Sequence, residues 1–357
     1  MVEGQHKRNV FIVDNDVTGV RYTTQWTDFI PQEIKSWGYE VEIIRGHPQP
    51  NWRYGYMNNF QSLAALYNNT GGMIRYKHIP NDAIFIFPNA RNPLVLALNE
   101  YKCMHQLDWK FIGFWDEGIY YTYLNHKANM YYGKYKGYYH WSLKFEKFLS
   151  ACYDYNLINN EHQMVYYKRI IQRGNSNDTR ICANPFSSLY EYAQQQSQEK
   201  TDMIVCITRP DSQHDKYLFT NLKQIYPQYE FVLCYEKDYS IIEHYRLLSR
   251  AKIVISHSAK EANPFPIWEA LMFGCIPLIP DTNINKLFFG NDYTFPRKIL
   301  IPPFLNYIKA RHFIHDKIIG YMDNYLDYSE QIPILCKKVH DKYYNSQHLK
   351  NLLEEIK

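Results

Sequence analysis

Long apolar runs are missing from this 357-residue chain. No stretch reaches the roughly 18 consecutive apolar residues of a membrane-spanning helix, so no such helix is expected. The lead MVEGQHKRNVFIVDND passes from polar residues directly into an apolar strand, with neither the h-region nor the small-residue cleavage site of a signal peptide. The expected location is therefore the cytoplasm, or the host cytoplasm for a viral source. The seven cysteines (Cys103, Cys152, Cys182, Cys206, Cys234, Cys275 and Cys336) are odd in number, and none stands at CxxC spacing. Most lie in apolar runs such as MIVCIT and FVLCY, which predicts buried thiols in a reducing compartment rather than disulfides or zinc ligands. The 14 histidines form no HxxxH or HExxH pattern, so neither a metal nor a cofactor is expected. No GxxxxGK[ST] loop argues for an ATPase, and no GxGxxG follows the first strand to argue for a nicotinamide enzyme. Heptads, fixed-period repeats and low-complexity tracts are lacking too.

Aromatic residues are abundant: 34 Tyr, 19 Phe and 7 Trp. An AT-rich genome would enrich Tyr, and so would a protein that stacks on sugars or bases; composition leaves both open. The net charge is +4, and all of it falls in residues 1–180, which hold 20 Lys and Arg against 16 Asp and Glu. This mild bias suits an acidic partner but falls short of a dedicated DNA-binding charge.

Short β-branched or aromatic runs alternate with turns and helical stretches, which predicts layered α/β architecture with parallel sheets. NVFIVD (Asn9 to Asp14), YEVEIIRG, DAIFIF, KFIGFW and NLINN read as strands, with a helix from Asp28 to Trp37 closed by Gly38. QRGNSNDTR reads as a loop. The pattern restarts with DMIVCITR, EFVLCYE, KIVISHS and IPLIP, with helices near Leu222, Tyr245 and Trp268 and a helical tail from about Tyr307. The expected domains are 1–180 and 181–335. A C-terminal helix over 336–357 could return to the first domain.

The most informative segment is ISHSAKEANPFPIWEALMFGCIPLIPD, from Ile255 to Asp281. It reads as strand, polar loop opening with Ser256 and His257, helix through Glu269, and strand after Gly274. In parallel sheets ligands bind beyond the carboxyl ends of strands, where such loops gather. The helix start, with Pro264 and Pro266, is expected to offer backbone N–H groups to an anion. Glu261 and Glu269 stand eight positions apart; taken alone, the pair could be one solvated and one capping glutamate.

With Glu269-Ala270-Leu271 followed by Gly274 and Pro277, the segment resembles the E-x7-E region of retaining GT-B glycosyltransferases, the superfamily that contains glycogen synthases. The resemblance covers most of the C-terminal half. In the first half it extends to strand order and to Gly19, where such enzymes admit the donor's phosphates. It implies two Rossmann-like domains facing each other across a cleft, 1–180 on the acceptor side and 181–335 binding the nucleotide sugar, with a UDP-sugar favoured as co-substrate and transfer of a hexose without a metal. Glu261 would face the donor sugar and Glu269 the ribose hydroxyls, while Asn263, Pro264 and Phe265 would approach sugar and phosphate. The family has Phe-Gly where Asn263-Pro264 stand here, so donor-sugar identity is open. Arg209 and Lys216, in RPDSQHDK after the strand DMIVCIT, match the family's diphosphate-binding cations, which stabilise a departing diphosphate; alone they would pass as surface residues. ICANPFSS resembles the interdomain crossing.

Asp116 and Glu117, after KFIGFW, could serve as general base or acceptor ligand, or as a helix N-cap with a dipole-favoured glutamate. A retaining enzyme needs no strong protein base; an inverting one would use Asp116. The segment from Gly118 to Phe148 interleaves aromatics, Trp141 among them, with lysines including Lys134 and Lys136. With Arg53 and Tyr54 it would form an acceptor surface, or else a Tyr-rich helical lid. The acceptor could be hydroxymethylated DNA, as for phage-type DNA glucosyltransferases, with the base flipped out of the duplex. A glycan, lipid-linked sugar or protein fits equally. The competing readings are a nucleic-acid-binding protein that has lost its chemistry on the same scaffold and a nucleotide-sugar epimerase.

Overall fold

The structure, a computed structural model, describes residues 8–14, 21–45, 78–90, 92, 94–115, 144, 146–171, 177–196, 199–207, 220–234, 236–237, 239–256, 263–296 and 304–356. The chain divides into two compact units, Met1–Ser188 with Asn345–Lys357, and Leu189–Tyr344. Among the described residues no helix is long and apolar enough to cross a membrane.

The first unit is built on six parallel strands, β1 (Val10–Asp14), β2 (Val41–Arg45), β3 (Ile84–Phe87), β4 (Lys110–Phe114), β5 (Tyr155–Ile158) and β6 (Asp178–Ile181), in the order β2-β1-β3-β4-β5-β6. Every residue of β3 is buried, as a strand covered on both faces requires. Gly113 in β4 has a packing reason: a Cβ there would lie 2.9 Å from the ring of Tyr153. That ring packs against the sheet and its hydroxyl donates to the Ala90 carbonyl at 2.9 Å. The helices α1 (Arg21–Asp28) and α2 (Ile30–Ser36) follow β1, and Trp26 meets Phe114 and Phe186 edge-on at 4.9 and 6.1 Å. The sequence places the end of α2 correctly, with Gly38 at φ +86° two residues beyond it.

One sequence expectation is corrected here. Asp178, Thr179 and Arg180 were expected in a loop, but DTRI forms β6 and pairs in parallel register with β5. The strand lies at the sheet edge and none of its residues is buried. Hydrogen bonding to β5 therefore makes the strand, without an apolar face to announce it. The helix α11 (Gln347–Glu355) belongs to this unit and buries Leu349, Leu352 and Leu353. Ser187 and Ser346 exchange backbone-to-hydroxyl hydrogen bonds at 3.0 and 3.1 Å, and Arg180 pairs with Glu355 at 2.8 Å.

The second unit has five parallel strands, β7 (Thr201–Cys206), β8 (Glu230–Leu233), β9 (Ala251–Ile255), β10 (Ile276–Pro280) and β11 (Thr294–Phe295), in the order β11-β10-β9-β7-β8. The helices α6 (Ile241–Arg250), α7 (Phe265–Met272) and α8 (Asn283–Phe289) lie between these strands in the chain. Helices α9 (Phe304–Asp323) and α10 (Tyr325–Val339) follow, and α10 packs against α7. Helix α6 starts with a capping box, Ser240 and Glu243 each bonding the other's backbone N–H, which fixes its first turn.

Lys200 ties the amino ends of this sheet together. Its ammonium donates to the carbonyls of Leu248 and Ala251 at 3.0 and 2.8 Å and to that of Phe273. Cys275 Sγ, 3.8 Å away, donates to the same Leu248 and Ala251 carbonyls. Burial pushes the lysine below its ordinary pKa and the thiol above its own.

Candidate active site

In the second sheet, chain order reverses between β7 and β9, the switch point at which open parallel sheets bind ligands beyond their carboxyl ends. Cys206 and Ile255 are register partners there, and Ile207 N donates to the Ile255 carbonyl at 3.2 Å. Ser256 N continues the ladder to the Leu278 carbonyl at 3.1 Å. The chain therefore leaves β7 and β9 from adjacent positions. Arg209 and Lys216 follow the first exit in sequence, and His257 and Glu261 follow the second. These four lie outside the described residues, as do Gly19, Arg53, Tyr54, Asp116, Glu117, Lys134, Lys136 and Trp141.

Asn263, Pro264, Phe265 and Glu269 are described, and they form one continuous structure. Asn263 precedes α7, Pro264 is its N-cap, and Glu269 lies in its second turn with 1% of its surface exposed. A carboxylate so deeply buried needs hydrogen-bond partners. The Tyr245 hydroxyl, from α6, donates to Glu269 Oε1 at 2.9 Å. Tyr245 is itself buried and packs on Phe273 with ring centroids 5.0 Å apart.

The expected free N–H groups at the start of α7 are not there. Phe265 N donates to the Asn263 carbonyl at 2.8 Å and Ile267 N to that of Pro264 at 3.0 Å. Pro266 between them has no N–H at all. The two prolines that mark the helix start also tighten it, so an anion here would meet the helix dipole rather than a row of open donors.

Sequence reasoning missed the aromatic support behind α7. Helix α10 runs on into a π-helical turn, His340–Tyr344. Trp268 stacks on Tyr344 at 4.2 Å and lies parallel to His340 at 5.9 Å, while His340 stacks on Tyr190 at 4.3 Å. The Tyr344 hydroxyl donates to Asn263 Oδ1 at 2.5 Å. The only sequence signal was the pair of adjacent tyrosines in a helical tail, which carries no address for a partner 81 positions away.

His340 supplies a pH prediction. Burial pushes its pKa down to about 4, outweighing the opposing pull of Asp341, with Lys337 adding slightly to the depression. The unfolded chain takes up this proton near pH 6.5 and the folded one only near 4, so stability is full above about 6.5 and falls as pH drops through that window. A loss of about 2–3 kcal/mol is expected from this group. Urea titrations of the protein and of His340→Gln at pH 7 and pH 5 should show a shallower loss for the variant; equal losses would assign the acid sensitivity elsewhere.

Among the described residues, no group of three or more His, Cys, Asp or Glu is placed to hold a metal ion. No protein-family model matches the chain, and no curated protein matches it in sequence. Solved structures do match. Sucrose-phosphate synthase from Thermosynechococcus elongatus aligns with a TM-score of 0.61 at 10% identity, over 98% of this chain and 99% of that one. An α-glucosyltransferase in complex with UDP-glucose and DNA containing an abasic site aligns with a TM-score of 0.57 at 11% identity, again over 98% and 99%. Of the pneumococcal O-GlcNAc transferase GtfA, at a TM-score of 0.49 and 13% identity, the chain spans 59%, with 80% of its own length covered. With its two parallel sheets and the two neighbours that align over 98% of its length, the chain has the GT-B fold, built from two Rossmann-like domains.

Proposed function

We propose that this chain is a glycosyltransferase that moves a hexose from a UDP-sugar to an acceptor hydroxyl, with retention of configuration and without a metal. The observation that carries the reading is the buried Glu269 carboxylate, held by Tyr245 on the helix that follows β9 at the switch point. A carboxylate accepts two hydroxyls that leave adjacent ring carbons, which is the pattern of a ribose 2′,3′-diol.

In this reading the bond between the sugar's anomeric carbon and the UDP phosphate oxygen breaks as the acceptor oxygen bonds to that carbon. The acceptor's proton passes to the departing phosphate, so no strong protein base is required. Arg209 and Lys216, on the segment that follows β7, neutralise the charge that grows on the diphosphate. Glu261 orders the sugar hydroxyls, while Asp116 and Glu117 position the acceptor. Arg53, Tyr54, Lys134, Lys136 and Trp141 supply cations and stacking faces to an anionic acceptor, with DNA favoured over a glycan. The solved complex of a structurally similar α-glucosyltransferase with UDP-glucose and DNA supports that choice, as does the concentration of the net positive charge in residues 1–180.

The test is thermal unfolding in the presence of UDP, GDP, ADP, TDP and their hexoses. A ligand present at 100 times its Kd adds about 2.7 kcal/mol of stability, an easily read shift. A shift confined to the uridine compounds supports the reading. No shift with any compound, in folded protein, removes the donor site from the proposal.

A further inference from the structure

We propose that Tyr344 is a positioning residue of the donor site: its hydroxyl, donated to Asn263 Oδ1, and its ring, stacked on Trp268, set the chain that leads into α7 and the helix that carries Glu269. The inference deepens the donor-site reading above and rests on it.

Tyr344 is fully buried and meets this region at three points. It stacks on Trp268 at 4.2 Å with the rings 18° from parallel, and meets Phe265 edge-on at 5.8 Å. Its hydroxyl reaches Asn263 at 2.5 Å. Trp268 is the residue immediately before Glu269, and Asn263 stands just before the N-cap Pro264. One side chain thus holds both the approach to the helix and its first turns.

The π-helical turn carries Tyr344 at its end. Its wider winding shifts the side chains that follow relative to an α-helix. Here His340 and Tyr344, four positions apart, both lie parallel to the indole of Trp268, at 10° and 18°. Such turns interrupt regular helices frequently at functional sites. Pro264 fixes its own φ and disfavours helical backbone at Asn263, but the Asn263 side chain is set by other contacts. The Tyr344 hydroxyl is a restraint on it that the ring packing alone would not supply.

The substitution Tyr344→Phe separates the two contributions, because it keeps the ring and removes only the hydroxyl. It is expected to leave the melting temperature of the free protein within about 3 °C of the original. UDP binding should weaken about five- to tenfold, as loss of one ordering hydrogen bond implies, with a raised donor KM and little change in kcat. Asn263→Ala should weaken UDP binding by a similar factor, and the double variant by no more than either single one, since both remove the same contact. UDP affinity unchanged in both single variants, with the unsubstituted protein binding UDP, overturns this inference alone. Failure of the unsubstituted protein to bind any nucleotide overturns the donor reading and this inference with it. A fall in melting temperature without a change in UDP affinity assigns Tyr344 to packing only.

Discussion

Glu269→Ala is expected to weaken UDP binding by about 10- to 100-fold, the loss of a charged hydrogen-bonding pair worth about 1.5–3 kcal/mol. Glu269→Gln keeps the volume and one acceptor oxygen but not the charge, so its loss should be smaller, about tenfold or less. Both changes also remove or weaken the acceptor of the buried Tyr245 hydroxyl, which sits 2.9 Å from Glu269 Oε1. Loss of a buried hydrogen bond costs about 0.5–1.5 kcal/mol, so Glu269→Ala should also lower the melting temperature. The affinity loss must therefore be read by calorimetry at a temperature where the variant is fully folded. A folded Glu269→Ala protein that binds UDP as tightly as the original would make this carboxylate a structural partner of Tyr245 and nothing more.

The largest stability effect is expected at Lys200, at the opposite end of β7 from the segment that carries Arg209. Replacing it with methionine keeps the stem and removes the ammonium that serves the Leu248, Ala251 and Phe273 carbonyls. Each buried carbonyl left without a donor costs about 1–3 kcal/mol. The costs do not add in full, because Cys275 Sγ, a weak donor, still reaches two of the three at 3.0 and 3.3 Å. A net loss of about 3 kcal/mol is expected for Lys200→Met, read as a lowered urea midpoint. A change below about 0.5 kcal/mol would mean that the cost of burying the ammonium cancels what its hydrogen bonds contribute.

The legibility of this protein followed burial. Strands covered on both faces, such as β3 and β10, declare themselves as unbroken apolar runs, and the helix carrying Glu269 leads into the second of them. Strand β6 does not: Asp178, Thr179 and Arg180 are polar, Ile181 is exposed, and its pairing with β5 is a tertiary fact. The same distinction divides the site. The helical position of Glu269 was legible because the pattern from Pro264 to Gly274 is local; its role is a proposal. Tyr245, 24 positions away, and Tyr344, 81 positions from Asn263, are ordinary aromatics until folding brings them there. The expectation of open N–H groups at α7 failed because proline at a helix start signals the position of the turn, not where its neighbours' donors point.

The chain leaves the first unit after Ser188 and re-enters it at Asn345. A ribosome therefore completes the whole second unit before it makes α11, which brings the buried Leu349, Leu352 and Leu353 to the first. Maturation of the two units is interleaved in time: the later-made one can fold on emergence, while the earlier-made one waits for α11.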